Sequence, residues 1–129
     1  DIIETNVMKD DKNNIWFIDF SVSNYLPRIV DLAVTICDLC LDLENTDLSR
    51  ERIKVYLAEY DKVYPLSKYE ISALKTFLKT HQAITILQTT KEKFEDNNTS
   101  EENMKFLRKS KKGLNLMMNQ DYLENNKLI

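Results

Sequence analysis

Two side chains near the start of the chain, Asn6 and Asp19, have the types and spacing to hold a divalent cation, with Asp1 close enough in sequence to share their site. Carboxylate and amide oxygens are the hard ligands that Mg2+ prefers. Asp19 closes an unbroken apolar run, Ile15-Trp16-Phe17-Ile18, whose β-branched and aromatic members predict a buried strand. A carboxylate at the end of a buried strand is costly unless a cation or several donors meet it. A purely structural protein would gain little from that arrangement.

A hairpin is the element that must bring these groups together. Val7-Met8 reads as the first strand, and Lys9 to Asn14 (Lys-Asp-Asp-Lys-Asn-Asn) has turn chemistry, because Asn and Asp tolerate turn dihedrals and bond their own backbone. Pairing across such a turn places Asn6, at one strand's entrance, near Asp19, at the other strand's exit. Asp1 precedes Asn6 by five residues, a loop short enough to keep all three at one place. The run Asp10-Asp11-Lys12-Asn13-Asn14 lacks the Gly at position six and the Glu at position twelve of a calcium-binding EF-hand loop, so that reading is set aside.

Four pieces in order, Asp1-x-x-x-x-Asn6, the hairpin, Ile18-Asp19-Phe20 and Pro27-Arg28-Ile-Val-Asp31-Leu32-Ala33, resemble the catalytic core of the protein-kinase-like small-molecule phosphotransferases. That group includes aminoglycoside phosphotransferases, choline kinases and type II homoserine kinases. Its pattern runs His-Gly-Asp-x-x-x-x-Asn, then Ile-Asp-Phe/Trp, then Pro-Arg-x-x-Asp-Leu-Ala. The resemblance covers about the first quarter of the chain. It implies that Asp1 is the catalytic-loop Asp that accepts or orients the substrate hydroxyl, and that Asn6 and Asp19 hold Mg2+ against the phosphates of ATP. It places Arg28 beside the site and makes Asp31 a structural acid that braces the loop. Two departures stand out. The His-Gly before Asp1 is absent, and Ser21 follows Phe20 where many relatives carry an acid. The missing acid and the Ile36-Cys37-Asp38-Leu39-Cys40 stretch tilt the resemblance towards the homoserine kinase branch.

Helices account for the remainder. Asp31 reads as the N-cap or first-turn acid of a helix from Leu32 to about Leu43, apolar on nearly every face and therefore central. Asp38 and Asp42 share one face of it, as either its solvent stripe, which is preferred, or the wall of a pocket for a cationic substrate. Thr46 or Asp47 caps a second helix, from about Ser49 to Val63, with Ile53, Tyr56, Leu57 and Tyr60 inward; Pro65 stops it. Ser67-Lys-Tyr-Glu70 is a capping box opening a long third helix with Ile71, Leu74, Phe77, Leu78, His81, Ile84 and Leu87 on its apolar stripe, towards Phe94. Residues 95–100 form a linker. Thr99-Ser-Glu-Glu102, a second capping box, opens a last helix with Met104, Leu107, Leu114, Met117 and Met118 on one side and Lys105, Arg108, Lys109, Lys111 and Lys112 as a solvated basic stretch. Cys37 and Cys40, one turn apart in an apolar helix, read as small core residues and not as a redox or zinc pair. The lone His81 reads as a core or boundary residue, and the tyrosines as packing.

The fold expected is mainly α: a helical C-terminal lobe of a protein-kinase-like fold, residues 1–129 as a single domain, with one short β-hairpin near its start. The nucleotide-binding N-terminal lobe would be absent, since the chain opens in mid-motif and its single Gly excludes a glycine-rich phosphate loop. The activity expected is that of an ATP-dependent transferase passing a γ-phosphate to a small-molecule hydroxyl, with this piece inactive alone. The alternative is a non-catalytic helical binding module derived from a kinase-like fold. A net charge of −3 gives no case for nucleic acid, and no apolar run approaches the ~20 residues that span a membrane. Two unpaired cysteines fit a reducing cytoplasm.

Overall fold

The computed structural model describes residues 2–21 and 23–119. Their architecture is mainly helical, with a single antiparallel hairpin near the N-terminus, as expected. A 3-10 turn over Glu4–Asn6 leads into β1 (Val7–Lys9), which pairs with β2 (Ile15–Phe17) in the register Val7↔Phe17, Met8↔Trp16 and Lys9↔Ile15. The turn between them is built on Asp10. Its carboxylate accepts from the Lys12 and Asn14 amides at 2.9 and 2.8 Å and from the Trp16 indole at 3.2 Å, while Asn13 takes a left-handed φ of 65°.

The hairpin is not buried. Trp16 is 58 % exposed, and Ile15, Phe17 and Ile18 are open as well, which corrects the buried strand expected from this apolar run. Burial is a property of what packs on a strand, and among the described residues the hairpin packs mainly on itself.

The helical body is α1 (Ile29–Thr35), continued without a break by a π-helical turn (Ile36–Cys40), then α2 (Thr46–Val63), α3 (Lys68–Glu95) and α4 (Glu101–Met118). Leu32, Ile36 and Cys37 from the first segment meet Ile53, Leu74, Leu78 and Met117 in one core. Each Leu, Ile or Met side chain among them contributes about 1.5–3 kcal/mol by leaving water. The first helix starts three residues earlier than expected. Its flanking residue, Arg28, caps nothing with its side chain, so Asp31 is a first-turn acid and not the N-cap. It also ends at Cys40, short of Leu43, when the Leu41 amide closes the wide turn on the Ile36 carbonyl.

Capping explains the other boundaries. Ser67 and Glu70 form the reciprocal capping box read from the sequence. The α2 cap is Asn45, receiving the Leu48 amide at 3.0 Å, and not Thr46 or Asp47. The α4 cap is Ser100, not Thr99. In both cases several neighbouring residues have capping chemistry, and the chain's path into the helix selects among them.

The inner face of α3 departs most from expectation. Leu74 and Leu78 are buried, but further along the inward positions are Gln82 and Thr89, while Ile84, Leu87 and Phe94 face out. Across from them α4 buries Asn103, Leu107, Ser110, Gly113 and Met117. Gly113 lets the helices approach closely: a Cβ there would lie 2.8 Å from the Gln82 amide nitrogen. Gly113→Leu is expected to destabilise the chain by about 1–3 kcal/mol, measured by urea unfolding. Adding Gln82→Ala should recover part of that loss. Strict additivity of the two changes would show that the amide is not what the new side chain meets.

Candidate functional site

Asn6 and Asp19 are brought together by backbone pairing. Beyond the β2 residues the Ile18 amide donates to the Asn6 carbonyl at 3.0 Å, so the ladder runs one step further and sets Asn6 opposite the residue before Asp19. Both line a hollow of about 190 Å³ with Ile2, Phe17, Ile18 and Phe20. At Asp19 the chain turns sharply: φ is 58°, a left-handed conformation that Asp tolerates better than most residues. The turn folds the carboxylate back onto Ser21, whose hydroxyl and amide donate to Oδ1 at 2.5 and 3.3 Å. These bonds hold the Asp19 carboxyl below the usual carboxylate range, so it is ionised at neutral pH. Asp1 lies outside the described residues.

A second, larger hollow of about 330 Å³ lies between the π turn, the polar half of α3 and the first half of α4. Its wall includes Ile3, Asp38, His81, Gln82, Glu92 and Lys109. Ile2 faces the first hollow and Ile3 the second, so the stretch carrying Asn6 runs between them. Asp38 does not lie on a solvent stripe: its side chain is 8 % exposed and ion-paired with Lys109 at 3.1 Å. The preferred solvent reading fails there because the wide turn swings Asp38 inward against α4. Asp42 lies past the helix end and away from the hollow, its Oδ1 accepting the Glu44 and Asn45 amides. Burial lowers the His81 pKa from its ordinary 6.5, so the ring is neutral at pH 7.

Two curated proteins named homoserine kinase resemble this chain. One, from Janthinobacterium sp. (strain Marseille), is 33 % identical over 79 residues, which is 61 % of this chain and 24 % of that protein. The other, from Polaromonas naphthalenivorans (strain CJ2), is 30 % identical over 74 residues, or 57 % of this chain and 23 % of that protein. The matched region thus spans about a quarter of each relative. No protein-family model and no solved structure matches. Together these two relatives support a kinase-family relationship.

The remaining candidates have structural surroundings. Arg28 donates to both Glu70 oxygens at 2.6 and 2.9 Å and to the Tyr64 and Pro65 carbonyls, and its guanidinium lies over the Tyr60 ring. It braces the start of α1 on the start of α3, with Glu70 as its acidic partner. Asp31 is exposed in the first turn, where its charge favours the helix dipole. Cys37 and Cys40 are buried free thiols whose pKa values burial pushes up to about 12 and about 11, so neither is a ready thiolate. Tyr56, Tyr60 and Tyr64 pack in tilted succession, whereas Tyr69 is exposed. The basic residues of α4 are partly paired: Lys109 with Asp38, Lys112 with Glu44 and Lys105 with Glu4. Among the described residues no three of His, Cys, Asp or Glu cluster as a metal site, and no helix is long and apolar enough to cross a membrane.

Sequence reasoning missed the larger hollow. Its signal was present as polar residues at helical spacing, His81, Gln82, Thr85, Gln88, Thr89 and Glu92, along one face of α3.

The Arg28–Glu70 pair gives a pH test. The Arg28 guanidinium and the Ser67 cap hold the Glu70 carboxyl at about 2, below its ordinary 4.5. A depressed folded-state pKa adds stability above the unfolded value that is lost as pH falls through the folded one. The wild-type chain is therefore expected to lose stability relative to Glu70→Gln between about pH 4.5 and about 2, the two curves converging at the acid end. Parallel melting-temperature profiles across that window would refute the assignment.

Proposed function

We propose that this chain is the helical part of an ATP-dependent small-molecule O-phosphotransferase of the homoserine kinase type. The meeting of Asn6 and Asp19 in one hollow carries the reading. Both residues line it, one of them an ionised carboxylate, at the two ends of a hairpin whose sequence resembles the family's motif order. The donor set fits Mg2+, which takes few protein ligands and keeps its remaining positions for water and phosphate. When bound, the ion would offset negative charge on the nucleotide phosphates.

The chain's own residues have distinct parts. Asn6 would supply its amide oxygen and Asp19 its carboxylate, with Ser21 holding the latter in orientation. Asp1 would orient the attacking hydroxyl and accept its proton, since it precedes Asn6 by five residues, as the catalytic-loop Asp does in the motif this sequence resembles. The acceptor would occupy the larger hollow across the Ile2–Asn6 stretch. Glu92 and Glu102 on its wall suit an ammonium group, and the neutral His81 and the Gln82 and Gln88 amides suit hydroxyls. An amino alcohol such as homoserine fits that lining and the names of the two relatives. The open apolar side chains Trp16, Phe17, Phe20, Tyr25 and Leu26 offer the kind of face that a nucleotide-binding lobe would cover. Positioning and charge neutralisation supply most of the rate in such chemistry.

ADP release by the whole protein, with Mg-ATP and a panel of homoserine, choline, methylthioribose and aminoglycosides, tests the reading. A signal dependent on one amino alcohol is expected. Asp1→Ala and Asp19→Ala should each lower kcat by about 100- to 10,000-fold without unfolding the protein by circular dichroism. Near-normal turnover in either variant would sink the proposal.

A further inference from the structure

The Asp38 carboxylate has both oxygens engaged. Oδ2 accepts the Glu4 backbone amide at 2.6 Å, and Oδ1 is paired with Lys109 Nζ at 3.1 Å. Lys109 also donates to the Asp38 carbonyl at 2.6 Å. That carbonyl lies in the last turn of the π segment, where helical amides run out. The ammonium therefore closes the helix end and fixes the carboxylate in one stroke. The side chains are 8 % and 21 % exposed, so the pair is poorly screened, and a charge-assisted hydrogen bond there is stronger than one in water. Its far end grips Glu4, the first residue of the 3-10 turn that ends in Asn6. A looser contact repeats the link, Lys105 to the Glu4 carboxylate at 3.7 Å.

We infer that Asp38, set by Lys109, is a positioning residue that holds the Glu4–Asn6 turn, and with it the Asn6 amide, in place for phosphoryl transfer. With both oxygens taken, Asp38 is a poor ligand for an acceptor even though it lines the larger hollow. The wide turn is what makes the geometry work. The Leu41 amide reaches back to Ile36, and the side chain between them reaches the loop on one side and α4 on the other.

The inference rests on the proposed kinase reading for its consequence, but not for its contact. Asp38→Asn in the whole protein keeps the shape and removes the charge. It should lower kcat by about 10- to 100-fold while the KM of the acceptor alcohol moves less than about 3-fold. Lys109→Met should act in the same direction, and Lys109→Arg should restore most of the rate. An acceptor KM raised by an order of magnitude with kcat intact would make Asp38 a substrate ligand and overturn the inference. A second readout needs no turnover. By NMR hydrogen exchange the Glu4 amide should be protected in the wild type and exchange at least about 10-fold faster in Asp38→Asn and in Lys109→Met. An unchanged Glu4 amide in both variants refutes the clamp whether or not the protein is a kinase. A wild type with no turnover, but with Glu4 protection lost on substitution, refutes the kinase reading and leaves the clamp standing. If Asp38→Asn does not fold, the Lys109 variants carry both measurements.

Discussion

A carboxylate almost withdrawn from water must find partners, and the partners that Asp38 finds join the molecule's two dissimilar pieces. Lys109 comes from α4 and the Glu4 amide from the loop before the hairpin. Removing one member of such a pair leaves an uncompensated charge, which costs far more than the pair contributes net. That asymmetry gives the arrangement its specificity. An alternative seating of the N-terminal stretch that broke the contact would strand Asp38 beside a hollow with two other acids on its wall, Glu92 and Glu102.

The same segment is fastened at its other end. Arg28, just before α1, reaches the Glu70 carboxylate that also completes the capping box of α3. One acid thus serves a helix terminus and an ion pair at once, and the entry to α1 and the start of α3 are set by a single side chain. Between the two tethers lie Leu32, Ile36 and Cys37, fully or almost fully buried. The hydrophobic term is non-directional. It compacts α1 against α3 without dictating its rotation, and the polar ends supply the missing direction.

What was legible in the sequence was what is local. The hairpin, its Asp10-centred turn and the capping box of Ser67 and Glu70 depend on residues within a few positions of each other, and the structure contains them. The two cysteines were legible because an apolar helix around them leaves little choice. Burial of Ile15 to Ile18 was not legible, since it depends on what lies over the strand and not on the strand's own residues. Helix composition misled in α3 for a related reason. Leu87 and Phe94 are as apolar as Leu74, but the helix face is chosen by α4, whose small Ser110 and Gly113 admit Gln82. Asp38 read as part of a solvent stripe and not as a brace, because its partners stand 34 and 71 residues away.

The candidate site divides along the same line. The Asn6–Asp19 meeting follows from strand pairing, so its spacing in the sequence is enough to foresee it. The larger hollow follows from helix packing that leaves a polar stripe unfilled, and only the assembled fold shows it. On the proposed reading the first would be where phosphate charge is neutralised, and the second where an acceptor is held with its hydroxyl directed at the first. The two hollows share one wall, the stretch from Ile2 to Asn6, and that wall is anchored to the helical body through a backbone amide. An amide has no alternative rotamers, so a contact made through it fixes the path of the chain itself, and with it the position of every donor the turn presents.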